Sequence, residues 1–275
     1  MQKIPEEIYN CIDNDIYNKE GERWWQPDFS LNLIKTLYNP FRINYTKKIF
    51  GQLKINSEKT NALEVGCGGG ILSEEISKMG FITTGIDPSE QSLNIAIKHA
   101  KVNHLKIKYE KGTGENLSFQ NNSFDLVFCC DVLEHVRDLP KVIAEISRVL
   151  KNGGVFIYDT FNRTNISKIS AIKILQEWKR WANMPPNLHV WEMFIKPDEI
   201  RTLLLENQLD WKEHCGIKPN ISYRKMLQYL HKRAIGELTY EEFGKKFLMV
   251  ESSSTLIMYM GYAVKYEQKS KYSVP

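Results

Sequence analysis

Three glycines at alternate positions, Gly66, Gly68 and Gly70, follow an acid in Leu63-Glu64-Val65-Gly66-Cys67-Gly68-Gly69-Gly70-Ile71. Glycine there lets the backbone approach a ligand where a Cβ would collide. The amphipathic run from Ile71 to Ile76 opens a helix whose free N–H groups face an anion or polar group. Asp87 closes the next β-rich run, Phe81–Asp87, and is placed to accept hydrogen bonds from both hydroxyls of a ribose. Pro88-Ser89 starts a helix that Ser89 can cap. A dinucleotide loop needs a third glycine where this chain has Ile71, and no Gly-Lys-Ser/Thr follows to make a phosphate-binding loop. Glu64 would repel a pyrophosphate but could hold an ammonium group. The ligand expected is therefore a nucleoside carrying an amino acid.

The elements around this loop alternate. Apolar or β-rich runs at Leu63–Val65, Phe81–Asp87, Leu105–Tyr109, Phe124–Cys130 and Val155–Asp159 are separated by helical patterns. The helix that Pro140 starts stops at Asn152-Gly153-Gly154. Strands alternating with helices imply an α/β, doubly wound, mostly parallel sheet covered on both faces. Leu209–His214 and Thr255–Val264 complete seven expected strands. Residues 1–60 lack this alternation and read as a helical cap or substrate flap, 61–265 as the main domain and 266–275 as a polar tail. Insertions are expected at about 165–196 and 219–250, the second helical.

The chain has 275 residues, 42% hydrophobic and 25% charged, with net charge +4, an ordinary globular composition with length for a full core. The charge is too mild and dispersed to indicate nucleic acid. Cysteines at 11, 67, 129, 130 and 215 form no CxxC and read as reduced thiols of a cytoplasmic-type compartment. Neither a targeting segment nor an apolar run near the ~20 residues of a membrane span is evident.

Glu64, the spaced glycines and Asp87, in this order, resemble the class I S-adenosylmethionine-dependent methyltransferases, with the core likeness spanning Glu64 to Asp159. The resemblance implies a Rossmann-like sheet whose last strand is antiparallel. It also implies that the Gly66–Gly70 loop and Glu64 hold the methionine portion, and Asp87 with Pro88 the ribose. Gly114-Glu115-Asn116-Leu117-Ser118-Phe119 is then the adenine-side loop, with Thr113 where many relatives carry an Asp. Cys130–Val136 is expected to face the methyl group. Glu20–Trp25, Asn39-Pro40-Phe41-Arg42, Val132–Val136, Asn162-Arg163-Thr164 and His189–Pro197 further resemble the ubiquinone-biosynthesis O-methyltransferases, which methylate phenolic hydroxyls on a polyprenylated ring. Phe41 stands where that family has a leucine, and the 219–250 segment is longer than its usual loop.

A phenol of pKa about 10 must lose its proton near neutral pH, which calls for a tuned base beside the methyl. His135 is the first candidate, oriented by Asp131 or Glu134, and His189 the second. His99, His104 and His231 lie in surface-like contexts. Alternatively Asp131, Glu134 and His135, at i, i+3 and i+4, share a helix face and hold a divalent cation (Mg, Mn or Zn) that lowers the phenol's pKa. Trp24, Trp25, Arg42, Trp178, Trp181 and Trp191 are candidate lid or substrate residues. From Ala171 to Trp181, apolar residues fall on one helix face, flanked by Lys168, Lys173, Lys179 and Arg180. That suits peripheral membrane contact through 168–181, reaching a lipid-tailed acceptor, or simple packing on the sheet. A homodimer is compatible with all of this. Competing readings are an N- or C-methyltransferase of another small molecule, a nicotinamide oxidoreductase, and an RNA or protein methyltransferase, which lacks its basic aromatic patch here.

Overall fold

The computed structural model describes residues 3–266. The strands are β1 Asn61–Val65, β2 Ile82–Asp87, β3 Ile107–Lys111, β4 Phe124–Cys130, β5 Leu150–Phe161, β6 Leu209–Pro219, β7 Met249–Ser252 and β8 Met258–Lys265. They form one sheet in the order β3-β2-β1-β4-β5-β8-β6-β7. The five strands β3, β2, β1, β4 and β5 are parallel. β8 inserts antiparallel between β5 and β6, and β7 lies antiparallel on β6. Parallel neighbours need crossovers, and the helices Ile71–Lys78, Glu90–Val102 and Leu139–Val149 supply three of them.

Period-two alternation divides the core between two layers. Val127 and Cys129 of β4 join one buried cluster with Leu63, Val65 and the helix Leu139–Val149. Leu126, Phe128 and Cys130 join the other, with Ala62, Ile76 and Tyr45. Such two-sided burial explains the continuous apolar run of β4. The strand order turns back between β1 and β4, so the chain ends leaving β1 and β4 diverge into a crevice. The Gly66 loop and Asp131 stand there, and Asp87 stands beside them at the end of β2.

Two expectations need correction. The sheet has eight strands, because β6 runs on to Pro219 and pairs with the short Met249–Ser252 at the end of the 219–250 segment. That strand is too short to show an alternation of its own. Between β6 and β7 lie the helices Tyr223–Ala234 and Tyr240–Lys245. The tryptophan helix is also shorter than its pattern. A π-type helix spans Lys168–Glu177 and ends where Trp178 turns extended, so Trp178 and Trp181 lie beyond it.

The N-terminal region makes the short helices Glu6–Tyr9 and Ile16–Lys19 and then the longer Asn39–Leu53. It is tied down at intervals: Ile4 N–H donates to the Arg137 carbonyl (3.1 Å) and Asp13 N–H to that of Asn187 (2.9 Å). Among the described residues no helix is long and apolar enough to cross a membrane. The expected polar tail, from 267 on, lies outside the described residues.

Candidate active site

A cavity of about 460 Å³ opens at the crevice, and Gly66, Gly68, Asp87, Pro88, Gly114 and Glu115 all line it. Asp87 holds this end of the cavity together. Its carboxylate accepts the N–H of Gly68 (2.9 Å) from the glycine loop and the N–H of Ser89 (2.8 Å) from the following turn. Burial pushes its pKa up to about 6, against the pull of those two donors. Gly68 has φ +50, and a Cβ there would run into the ring of Trp24. Trp24 is buried over the loop, and its Nε1–H donates to Ser92 Oγ (2.9 Å). Glu115 Oε1 accepts the N–H of Arg137 (3.2 Å), fixing the far rim.

Glu64 and Gly70 stand off the cavity wall. The Glu64 carboxylate lies behind the loop, accepting from Ser73 Oγ, and burial pushes it up to about 8. The sequence suggested a carboxylate facing an ammonium group, whereas in the structure Glu64 turns to Ser73 and does not line the cavity. Gly70, with φ +78, leaves room for the Tyr109 hydroxyl.

At the other end of the cavity the sequence-derived grouping of acids changes. Asp131 has φ +52, and its own N–H donates to Asp159 Oδ1 (3.0 Å). Arg42 donates to Asp159 through Nε (2.6 Å) and Nη2 (2.8 Å), and to Asp131 Oδ2 through Nη2. Arg42 is therefore a buried clamp on Asp131 and Asp159 and does not line the cavity, contrary to the expected lid role. Asp131 does line it, but belongs to this clamp and does not orient His135.

The turn Leu133–His135 buries both Glu134 and His135. Glu134 accepts from Thr160 Oγ1 (2.8 Å), and its other oxygen has no partner among the described residues. Burial, with Asp131's charge second, holds its pKa well above the usual carboxylate range. His135 pairs with Asn14, whose Oδ1 lies 3.2 Å from Nδ1. Its ring centroid is 5.1 Å from that of His189. His189 is held from behind by Gln176, which accepts its backbone N–H (2.7 Å) and donates to its carbonyl (3.1 Å). Burial lowers both imidazoles, His189 to about 4 and His135 well below the ordinary range. Both line the cavity as neutral rings. A possible cation set also differs from the expected one. Glu134, His135 and His189 bring ligating atoms within 4.8 Å of one another, with His189 in place of Asp131.

Of the tryptophans, only Trp24 lines this cavity. Trp25 stacks on His99 (3.4 Å between centroids) and donates to the Gly69 carbonyl. Trp181 packs among the late helices, Trp178 is 48% exposed, and Trp191 donates to the Thr164 carbonyl.

Comparison with known proteins now bears on this geometry. A methyltransferase-domain family model matches residues 63–158. A ubiquinone biosynthesis O-methyltransferase of Pelagibacter ubique is 35% identical over 211 residues, 74% of this chain and 86% of the relative. One from Haemophilus ducreyi is 36% identical over 209 residues, 73% and 84% of the two chains. The chain belongs to the ubiquinone-biosynthesis O-methyltransferase family. It is an S-adenosylmethionine-dependent methyltransferase. Its fold is shared with the magnesium protoporphyrin IX methyltransferase of Synechocystis solved with bound S-adenosylhomocysteine (TM-score 0.60, 17% identity, 91% and 97% of the two chains).

Several residues of this methyltransferase's cavity carried no usable signal in the sequence. Asn14, Tyr17 and Tyr38 line it from the N-terminal region, where no strand or glycine pattern marks a position. Although β5 runs on to Phe161, Asp159 closes the expected run Val155–Asp159 as Asp87 closes its own, which was a legible parallel. Its partner Arg42, 117 residues away, was not.

Proposed function

We propose that this methyltransferase transfers a methyl group to a phenolic or catechol hydroxyl of a small, prenylated quinone-precursor-like ring. The observation that carries this reading is the pair of buried neutral imidazoles, His135 and His189, facing the same cavity as Asp87 and the glycine loop. The residues fit the cofactor. The Gly66–Gly68 turn offers close backbone approach, Asp87 retains lone pairs for ribose hydroxyls, and the Gly114–Glu115 turn bounds the base. Bound there, S-adenosylmethionine supplies an activated methyl group on a sulfonium. The protein's part is to bring the acceptor oxygen into line and to take its proton, since positioning supplies much of the rate in such a displacement.

His135 accepts that proton. An imidazole kept neutral by burial is always in the accepting form at neutral pH. The apolar wall of Leu31, Leu33, Ile34, Phe161 and Leu188 suits an aromatic ring and excludes water. The names of the relatives support a hydroxyl acceptor in quinone synthesis. A membrane contact would give access to a lipid tail.

A second reading has its own support. Glu134 Oε1 and His189 Nδ1 are buried without partners, and these residues with His135 suit a divalent cation that binds a catechol and lowers its pKa. Turnover unchanged after metal stripping would remove that reading. The decisive experiment supplies labelled S-adenosylmethionine and lipid extract from cells lacking the protein, and identifies the product by mass. His135→Ala is expected to slow turnover by about 10²-fold or more while sparing S-adenosylhomocysteine binding. Full turnover in that variant would overturn the assignment of the base.

A further inference from the structure

The acting imidazole needs a defined tautomer, and the side chain that sets it comes from the N-terminal region. Asn14 makes two contacts with His135. Its Nδ2 donates to the His135 carbonyl oxygen at 3.1 Å, and its Oδ1 faces His135 Nδ1 at 3.2 Å. The first contact fixes the amide's orientation, because a carbonyl can only accept. With Nδ2 committed, the atom opposite Nδ1 is an oxygen that can only accept, so Nδ1 carries the ring proton. Nε2 is then left with its lone pair. A flipped amide would set two acceptors against each other at the carbonyl.

The segment that carries Asn14 also reaches the cofactor end. The Tyr17 carbonyl accepts from Ser89 Oγ (2.7 Å), in the turn after Asp87, and from Ser92 Oγ (2.9 Å), in the first turn of the helix Glu90–Val102. Asp13 N–H donates to the Asn187 carbonyl, two residues before His189. One short segment therefore touches the ribose side, His135 and the approach to His189.

We propose that Asn14 is the positioning residue of this enzyme: it holds His135 as the Nδ1–H tautomer with Nε2 free. The inference rests on the reading of His135 as the group that acts on the acceptor. It applies whether Nε2 takes a proton or ligates a cation, since a partner on the other nitrogen orients a ligand in the same way. The segment's ties to Ser89 and Asn187 make that orientation depend on the N-terminal region being seated.

The test uses the full chain with Asn14→Ala, Asn14→Asp, His135→Ala and the double variant Asn14→Ala/His135→Ala. Asn14→Ala is expected to lower kcat by about 10- to 100-fold, the usual effect of removing such a partner, with S-adenosylhomocysteine affinity within about twofold. Asn14→Asp keeps the acceptor for Nδ1–H but sets its second oxygen against the His135 carbonyl, as a flipped amide would, so it is expected to keep the Nδ1–H pattern and recover only part of the lost turnover. The double variant should be no slower than His135→Ala alone, because a residue acting only through another adds nothing once that other is gone. Nitrogen-15 spectra of the histidine rings should show the Nδ1–H pattern for His135 in the parent and lose it in Asn14→Ala. Unchanged kcat in Asn14→Ala would overturn the proposal. So would an additive double variant, a tautomer unaffected by the substitution, or a loss of cofactor affinity that accounts for the whole effect. Normal turnover in His135→Ala would instead overturn the functional reading, while the spectra would still report on the Asn14–His135 bond.

Discussion

At the scale of single residues, the grouping of the glycine loop with Asp87 was legible because the contacts between them are local. Gly66, Gly68 and Asp87 are set by one strand-turn-helix unit and the strand beside it. The acceptor half was misgrouped because its partners are distant. Asp131, Glu134 and His135 look like a unit in sequence, yet each turns to a different element: Asp131 to Arg42, Glu134 to Thr160, and His135 to Asn14, 121 residues away. Asp87 carries a pH prediction of definite sign. Its pKa is raised from 3.8 to about 6 by burial. Between those values the folded protein holds a proton that the unfolded chain has released, so Asp87's contribution to the free protein's stability falls as pH rises through that window. Ribose hydroxyls need the ionised carboxylate, so cofactor affinity should move the other way. S-adenosylhomocysteine is expected to bind about tenfold more weakly at pH 5 than at pH 7, as read by calorimetry. Asp87→Asn should bind weakly and flatten the dependence. An equally steep profile in that variant would assign the effect to another group.

At the scale of elements, β3 begins two residues later than its expected run and β5 five residues earlier, while β4 matched its pattern because burial on both faces writes itself into the run Phe124–Cys130. β7 did not, since pairing with β6 and not its own side chains makes it a strand. The late helices were legible as helices, but their packing target was not. Leu230, Phe243 and Phe247 form a buried cluster with Leu33, and Leu33 also lines the cavity. Glu241 N–H donates to the Pro27 carbonyl (3.0 Å), and Asn183 Nδ2 donates to that of Leu230 (3.3 Å). The 219–250 segment thus backs the wall on which an acceptor would lie. Phe243→Ala is expected to cost about 3–5 kcal/mol of stability. It should also raise the acceptor's KM several-fold while leaving S-adenosylhomocysteine affinity nearly unchanged. If both ligands weakened equally, the late helices would be supporting the whole fold and not one wall.

At the scale of the whole molecule, exposed apolar side chains gather beside that wall. Ile166 and Ile169 are about half exposed, as are Trp178 and Leu256. Leu256 lies near the start of the segment carrying Ile166 and Ile169, since Thr164 Oγ1 donates to the Leu256 carbonyl (2.6 Å) and Asn162 N–H to that of Ile257 (2.8 Å). Exposed apolar side chains that form a contiguous patch are candidates for an interaction surface. The chain leads from it directly to Met184, Leu188 and His189 in the cavity, a route suited to a tail left in lipid. The tryptophan helix was expected to present one apolar face. Instead it divides, burying Ala171, Ile172 and Gln176 and leaving Ile169 outside. Its charges contribute less than their number suggests, because Lys173 pairs with Glu177 and Lys168 lies near Glu192. Apolar insertion should therefore dominate, with anionic lipid adding a smaller, salt-sensitive part. The protein is expected to co-sediment with anionic vesicles at low salt and to keep much of that binding as salt is raised. Ile166→Glu/Ile169→Glu should abolish it while leaving turnover of a water-soluble acceptor unchanged. Binding that vanished with salt and ignored those substitutions would locate the contact in the basic residues alone. No binding by the parent would leave the patch for a protein partner.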